Sequence, residues 1–394
     1  MRRMSLKQTA RIISTYAGDT SGVASALFEL GGMTVMHDAS GCNSTYNTHD
    51  EPRWYDTDSL VFISALSETE AILGDDEKLV GDCVRAAEEL NPRFVAVAGT
   101  PIPMMTGVDF DAVAMEIEAR TGIPAFGFST DGMHSYASGA SMAFDALARR
   151  MVREPDGKKK PGTLRVNLLG LTPLDFSVYG APEAMKRVLG ERGIEVRSCW
   201  AMGSTLDDVA DSASADVNLA VSSSGLAAAR TLEDRFGIPW VAAAPCGERW
   251  NDRTADALRE AARTGKSVLL PQLPPVRDTR RLILGEGLTA ASLASALTLE
   301  TGEPWSALSA VDADPETDGA LSDAGVPFAA DEDDIAPYLE GCEILIADPL
   351  YRPVCPENTR FVPLPHEGFS GRLFRKDIPD LTRDLSYFRK EQNL

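Results

Sequence analysis

Six residues near the N-terminus, HDASGC at positions 37–42, bring a histidine, an aspartate and a cysteine into one short segment. They follow the apolar residues 32–36, which predict a short buried strand. A cysteine just beyond such a strand presents its thiolate where parallel α/β sheets gather ligands, and an iron–sulfur cluster requires thiolates held in this way. The alternative is that Cys42 is a buried free cysteine that packs as a small hydrophobic side chain. The segment taken alone favours this second interpretation.

Two of the other three histidines lie in settings that suit a site. His49 is in the polar loop 43–51 directly after Cys42, and such a loop either lines a site or is only surface. His366 is in the segment 363–371, where a proline and two glycines fix an unusual backbone, so a functional role and a structural turn fit equally well. Pro101 and Pro103 follow a predicted strand, and they predict a rigid loop at its C-terminal end.

Short apolar strands alternate with helical stretches along the whole chain, which predicts an α/β protein with parallel sheets. The length of 394 residues is too great for one compact core, and the breaker-rich stretch 154–162 predicts a linker. We therefore predict an N-terminal α/β domain over 1–155 that contains Cys42, a Rossmann-like domain over 163–265 and a C-terminal α/β domain over 266–394. The predicted strands are 34–36, 60–63, 94–98, 125–128, 165–169, 195–199, 217–221, 240–243, 281–284, 305–310 and 343–347.

Composition excludes several classes of protein. A net charge of −21 argues against binding to nucleic acid or to an anionic membrane surface, because both require a positive field. No apolar run approaches the roughly 18 residues that a membrane span needs, and no secretory signal is recognisable, so we expect a cytoplasmic protein. The six cysteines contain no CxxC pair, so they form neither a disulfide framework nor a self-sufficient zinc or ferredoxin site. A cluster in this chain would need ligands from another chain or from side chains other than cysteine.

Other catalytic motifs are missing from the sequence. It has no GxxxxGK[ST], so it should not hydrolyse ATP through a P-loop, and no GxSxG nucleophile elbow. The segment GEGLT at 285–289 follows a predicted strand, but it lacks the full dinucleotide-binding spacing. We interpret it as an ordinary tight turn between a strand and a helix, with nucleotide binding as the minor alternative.

Six ordered segments together resemble the component 1 family of nitrogenases. This family includes the α and β subunits of the molybdenum–iron protein, its cofactor-assembly scaffolds and light-independent protochlorophyllide reductase. The resemblance covers nearly the whole chain, and its specificity comes from the order and spacing of the segments. They are HDASGC at 37–42, SETEAILGDDEKL at 67–79, GTPIPMMTGVDF at 99–110, VNLLG at 166–170, ADVNLAVSSSG with FGIPW at 215–240, and PLPHEGFSG at 363–371.

The resemblance implies three Rossmann-like domains with parallel sheets flanked by helices. It also implies pairing with a like subunit, an iron–sulfur cluster at the interface, and electrons from a separate ATP-hydrolysing iron protein. Cys42 falls on the first cluster cysteine of the family. The second falls at Val61 or its neighbour Phe62, and the third falls near Pro101, so neither is a cysteine here.

The cofactor site of the catalytic α subunit is also altered. Ser222 occupies the place of the cysteine that anchors the molybdenum–iron cofactor, and His366 lies in the segment that resembles the region of the cofactor histidine. The resemblance therefore implies neither an eight-iron cluster nor a molybdenum cofactor, and dinitrogen is not the expected substrate.

Three functions are compatible with this pattern. The first is a nitrogenase-like reductase subunit that holds a [4Fe-4S] cluster through Cys42 and the residues of a partner, either itself or a homologous subunit. Since such a cluster needs about four ligands, it calls for two-fold sharing, a cysteine-rich partner, or oxygen and nitrogen donors. The second is a non-catalytic scaffold or carrier of a cofactor or a tetrapyrrole-like substrate, and the third is a cluster-free subunit. The nearby candidates for oxygen and nitrogen donors are His37, Asp38, His49 and Asp50.

Overall fold

The computed structural model of the chain describes residues 10–39, 51–155 and 162–388. Every apolar run that the sequence predicts as a strand lies in one of three parallel sheets, so the predicted α/β class is confirmed. We refer to residues 10–155, 162–269 and 270–388 as the first, second and third units. None of the helices in the described part of the chain combines the length and apolar character that crossing a membrane requires.

The first unit forms a four-stranded sheet with helices on both sides. Its central strands are apolar at nearly every position and fully buried, as is typical of parallel sheets covered on both faces. The elements are α1 (Asp19–Leu27), β1 (Met33–Met36), β2 (Leu60–Ile63), α2 (Glu68–Leu73), α3 (Glu77–Leu90), β3 (Val95–Ala98), α4 (Pro101–Thr106), α5 (Phe110–Thr121), β4 (Ala125–Phe128) and α6 (Tyr136–Arg150).

The second and third units repeat this plan with sheets of five and four strands. The second contains β5 (Leu164–Leu169), α7 (Pro173–Phe176), α8 (Ala181–Gly190), β6 (Ile194–Cys199), α9 (Leu206–Ala210), β7 (Val217–Ala220), α10 (Leu226–Phe236), β8 (Trp240–Ala242), α11 (Glu248–Thr264) and β9 (Val268–Leu269). The third contains β10 (Arg281–Gly285), α12 (Gly287–Thr301), β11 (Ser306–Ser309), α13 (Pro315–Asp323), α14 (Glu332–Leu339), β12 (Ile344–Ala347), β13 (Arg360–Pro363) and α15 (Glu367–Ser370).

The three sheets share one strand order. The orders are β2-β1-β3-β4, β6-β5-β7-β8-β9 and β11-β10-β12-β13, so the first strand of each unit lies between the second and the third. The order reverses between β1 and β3, between β5 and β7, and between β10 and β12. In such sheets, ligands bind at this point, outside the carboxyl ends of the strands. The chain thus has three edges of this kind.

Two elements differ from the sequence prediction. The expected rigid loop after β3 is wrong, because Pro101 and Pro103 lie in the first turn of α4. The N–H groups of a first turn have no partner within the helix, so proline costs little there. The short strand β9 was not predicted, and it adds to the second sheet beyond residue 265. The domain limits themselves remain a prediction.

Close packing of α1 on α6 joins the first unit to the other two. A Cβ atom at Gly139 would lie 1.8 Å from the carbonyl oxygen of Asp19, so this crossing requires a glycine. The first residue of α6, Tyr136, is fully buried, and its ring packs in a cluster with Leu284 and Phe369 of the third unit. The fold thereby places a tyrosine of the first unit at the junction of all three.

Candidate functional site

One group of polar residues lies at the carboxyl edge of the first sheet. The Oγ1 atom of Thr100, just after β3, lies 2.9 Å from the carbonyl oxygen of His37 and 3.1 Å from Asp38 Oδ1, just after β1. His37 Nδ1 lies 2.8 Å from Ser64 Oγ, and burial lowers the pKa of His37 to about 4, so its imidazole is neutral at pH 7. Pro101 begins α4 at the same edge.

These residues alone do not complete a metal site. Cys42, His49 and Asp50 lie outside the described residues. Val61, at one expected cysteine position, is buried in β2 and belongs to an apolar cluster with Phe28 and Met36. In the described ranges, no three His, Cys, Asp or Glu side chains form a group that could hold a metal ion. The ligands that His37 and Asp38 offer must therefore be supplemented by Cys42 and by a second chain if a cluster binds at this edge.

A second group surrounds a cavity of about 160 Å³ between the second and third units. Its walls come from the carboxyl ends of strands in the second and third sheets, so two of the three ligand-binding edges contribute to it. It is lined by Asp175 after β5, Glu286 after β10, Asp348 after β12 and His366 after β13. The segment 378–382 closes one side, and it is attached to the second unit through hydrogen bonds from Gly247 and Asn251.

Asp175 is the centre of this group. The hydroxyl of Tyr136 donates to Asp175 Oδ1 at 2.5 Å, and that of Thr172 donates to Oδ2 at 3.1 Å. His366 Nε2 lies 3.6 Å from Asp175 Oδ1. Burial, followed by the charge of Glu286, raises the pKa of Asp175 to about 8, although hydrogen bonds from Tyr136, Thr172 and Ser222 oppose the shift. The carboxyl group of Asp175 is therefore mainly protonated at pH 7.

His366 presents a proton to the cavity. Its Nδ1 accepts the backbone N–H of Gly368 at 3.2 Å, so in the neutral imidazole the hydrogen is on Nε2. Burial lowers the pKa of His366 to about 3, which keeps the ring neutral. In the described structure, Nε2 is buried and has no hydrogen-bond partner. The glycine is required here, since a Cβ atom at Gly368 would lie 2.5 Å from the ring of Tyr136.

The other two carboxylates hold the backbone of the cavity walls. Glu286 Oε1 accepts the N–H groups of Ser223 and Leu288 at 2.9 and 3.2 Å, and Oε2 accepts that of Thr289 at 2.9 Å. This confirms a tight turn between β10 and α12, and the first N–H groups of α12 are already bonded to Glu286, so they are not open to a phosphate. In the same way, Asp348 accepts the backbone N–H of His366 at 2.8 Å.

The site residues expected from the sequence thus fall into two places. His37, Asp38 and Pro101 lie together at the first sheet. Ser222 and His366 are both next to Asp175, although the hydroxyl of Ser222 already donates to the carbonyl of Gly170 at 2.7 Å.

Sequence analysis missed three residues of the second group: Asp175, Asp348 and Tyr136. Asp348 immediately follows the predicted strand 343–347, and an acid at that point was an available signal. Asp175 follows the predicted strand 165–169 only after an intervening loop, which weakens the same signal. Tyr136 had no signal, because a buried tyrosine at a helix start is ordinary.

Comparisons with known proteins agree with this architecture. The family described as nitrogenase component 1 type oxidoreductase matches residues 20–279, which is more than half of the chain. The solved structure of nitrogenase Cp1 at pH 6.5 superposes with a TM-score of 0.62 at 17% identity, and the match covers 91% of this chain and 86% of that one. At this identity the structural likeness shows the fold alone.

Three curated relatives illustrate the range of the family. The nitrogenase iron-molybdenum cofactor biosynthesis protein NifE of Klebsiella pneumoniae is 27% identical over 52% of this chain and 45% of its own length. The nitrogenase molybdenum-iron protein alpha chain of Clostridium pasteurianum is 26% identical over 52% and 37%. For one of the subunits of light-independent protochlorophyllide reductase from Prosthecochloris aestuarii the values are 25%, 60% and 42%. The matched region is less than half of each relative, but the family match spans the first two sheets, and this chain belongs to the nitrogenase component 1 type oxidoreductases.

Proposed function

We propose that this chain is the reductase-like subunit of a two-component system. It holds a [4Fe-4S] cluster at a subunit interface through Cys42 and the residues of a partner. It receives electrons from a separate ATP-dependent iron protein and reduces a small molecule bound in the cavity between the second and third units.

The observation that carries this proposal is the contact between Asp175, Tyr136 and His366. Reduction of an organic bond consumes protons together with electrons. Asp175 retains a proton at pH 7 because burial raises its pKa to about 8, and His366 Nε2–H lies 3.6 Å from it at the cavity wall. A buried acid with a pKa near the working pH is suited to proton donation.

The cluster would supply one-electron transfer, and the described residues set limits on how it is held. His37 and Asp38 both lie at the carboxyl edge of the first sheet, and Cys42 follows them by a few residues. Since cluster ligation takes about four groups, one cysteine per chain requires a second chain. We propose a like subunit as this partner, either a second copy or a homologue. We also propose a cytoplasmic location for the assembly.

Anaerobic purification tests the cluster. We expect bound iron and acid-labile sulfide together with a brown absorption band, and we expect Cys42→Ala to abolish all three. Cys83→Ala is the matched control, because Cys83 is a buried cysteine in the core of the first unit. Stoichiometric iron in the Cys42→Ala variant would overturn the assignment of Cys42.

Electron transfer tests the reductase function. Addition of a purified iron protein and ATP should bleach the absorption band of the cluster, and omission of ATP should prevent this. A cluster that is present but is not reduced under these conditions excludes the reductase.

The alternative function is a non-catalytic scaffold or carrier for cofactor assembly. It is favoured by the sequence match to NifE, whose name assigns it to cofactor biosynthesis. A scaffold would release its metal group to an acceptor protein rather than pass electrons on. Loss of iron to an added apo-acceptor, with no reduction by the iron protein, would favour this alternative.

A further inference from the structure

Two buried polar atoms at the cavity wall have no hydrogen-bond partner in the described structure. They are His366 Nε2 and the Oγ atom of Ser177, a residue that is only 1% exposed. Buried donors and acceptors are nearly always satisfied in folded proteins, so two orphans in one cavity point to a ligand. Ser177 also has a φ of 56°, in the left-handed region that favours glycine. Backbone strain of this kind collects at ligand sites.

The charges around the cavity exclude an anion. Among the residues that line it there is no lysine or arginine, whereas four are acidic: Asp175, Glu286, Asp348 and Asp380. A buried anion without a partner is strongly disfavoured. The lining also contains a cysteine, Cys246, but burial holds the pKa of its thiol far above the usual range.

A cation would not find a free carboxylate either. The carboxylates of Glu286 and Asp348 accept backbone N–H groups, and that of Asp380 accepts the N–H of Thr382 at 2.9 Å. Asp175 is bonded by two hydroxyl groups. The remaining wall is largely apolar, with Phe176, Met185, Ile283, Leu293 and Phe369 among its side chains.

We propose that this cavity binds an uncharged organic molecule about the size of a six-membered ring, which accepts hydrogen bonds from His366 Nε2 and Ser177 Oγ. An apolar cavity of about 150 Å³ is known to bind benzene, so about 160 Å³ is adequate for such a ring. The proposal rests on the proposed function only in taking this cavity as the place of reduction. It narrows the substrate class to neutral carbonyl, ether or thioether compounds.

Four probes of similar size test the charge selectivity: cyclohexanone, benzene, cyclohexanecarboxylate and cyclohexylammonium. They are titrated at pH 7 into the full-length protein, and binding is measured by isothermal calorimetry or ligand-observed NMR. We expect cyclohexanone to bind at least tenfold more tightly than either charged probe, and benzene to bind more weakly than cyclohexanone. Equal or tighter binding of the carboxylate or the ammonium compound overturns the proposal, and so does the failure of all four probes to bind.

Two variants test the hydrogen bonds without disturbing the fold. In His366→Asn the shorter side chain keeps an oxygen that accepts the N–H of Gly368, as asparagine commonly does at a helix start, but it withdraws the donor from the cavity. Ser177→Gly removes the hydroxyl and suits the positive φ. Each should weaken cyclohexanone binding by about five- to tenfold and change benzene binding by less than about twofold. Equal losses for both probes would contradict the proposed contacts.

Ala290→Leu tests the location, because Ala290 is buried in α12 and lines the cavity. The larger side chain should abolish binding of cyclohexanone and of benzene, and unchanged affinities would overturn the location. These measurements need neither iron, ATP nor an iron protein. Binding without reduction therefore contradicts the proposed function alone, whereas reduction of the cluster without probe binding contradicts this inference alone.

Discussion

His366 Nε2 lies 3.6 Å from Asp175 Oδ1, and the two residues belong to different sheets. The pKa of the histidine is lowered to about 3 and that of the aspartate is raised to about 8 by the same cause, burial. At pH 7 the pair is therefore mainly a neutral imidazole beside a neutral carboxylic acid, rather than an ion pair. Each side of the joint between the second and third units contributes one exchangeable proton at no cost in buried charge.

Replacement of Asp175 by asparagine should flatten the pH dependence of the free energy of unfolding. The folded protein keeps a proton up to about pH 8 that the unfolded chain loses near the ordinary value, 3.8. The stabilisation by this proton is complete below the ordinary pKa and is lost as the pH rises towards 8. The free energy of unfolding of the unmodified protein should therefore fall over this window by up to about 1.4 kcal/mol per pH unit, in addition to the effects of other groups.

Urea titrations at several pH values measure this effect. The lowered pKa of His366 acts in the opposite direction at acid pH, but it is present in both proteins, so the difference between them isolates Asp175. Parallel pH profiles of Asp175→Asn and the unmodified protein would show that Asp175 carries no proton at pH 7.

Tyr136→Phe should raise the pKa of Asp175 further. The hydroxyl of Tyr136 donates to the carboxyl group at 2.5 Å and opposes the effect of burial. Its loss should also lower the free energy of unfolding by roughly 1–2 kcal/mol. Infrared difference spectroscopy can follow the protonated carboxyl band against pH, and its midpoint should move to higher pH. Tyr338→Phe, at a half-buried tyrosine of α14, is the control that should leave the band unchanged.

Glu286→Ala should destabilise the protein strongly. The carboxylate accepts three backbone N–H groups from two units, and its removal leaves these donors buried without a partner. We expect a loss of roughly 3 kcal/mol or more in the free energy of unfolding, measured by chemical denaturation. Glu303→Ala removes an exposed partner of Arg281 and should cost less than about 1 kcal/mol. Similar losses for the two variants would contradict the structural role of Glu286.

Gly368→Ala should disturb the cavity through Tyr136. The new Cβ atom would lie 2.5 Å from the tyrosine ring, so either the ring or the turn that carries His366 must move. Overpacking of this kind costs about 1–3 kcal/mol, and it should also lower the affinity for cyclohexanone. Gly319→Ala is the contrasting variant, because Gly319 is exposed in α13 and its Cβ atom would meet nothing within 4 Å.

For Gly319→Ala, helix propensity predicts a gain of about 0.5–1 kcal/mol in the free energy of unfolding. A gain for Gly368→Ala as well would show that the close approach to Tyr136 is absent.

The sequence was sufficient to predict the strands, because buried parallel strands are short apolar runs between turn residues. It was insufficient for α4, where two prolines suggested a loop. Proline excludes a strand ladder, but it does not exclude the first turn of a helix. The pattern around Glu286 indicated a tight turn correctly, but it could not show that the carboxylate also binds the N–H of Ser223 in another unit.

The cavity was beyond sequence analysis for a different reason. Tyr136, Asp175 and His366 come from three units, and nothing local in any of the three segments indicates the other two. His366 was a candidate because of its unusual turn, whereas Asp175 becomes a candidate only when burial shifts its pKa. Such an environment is a property of the packed chain and not of the adjacent residues.

The close packing of α1 on α6 has a consequence for communication over distance. The hydroxyl of Thr20 in α1 donates to the carbonyl of Gly99 at the carboxyl edge of the first sheet, and α6 carries Tyr136 to Asp175. A shift of the first edge that moves α6 lengthens the Tyr136–Asp175 bond and strengthens the hold of Asp175 on its proton. By thermodynamic reciprocity, loss of that proton must pull on α6 and hence on the edge that leads to Cys42. Electron arrival and proton release are thereby linked through one helix.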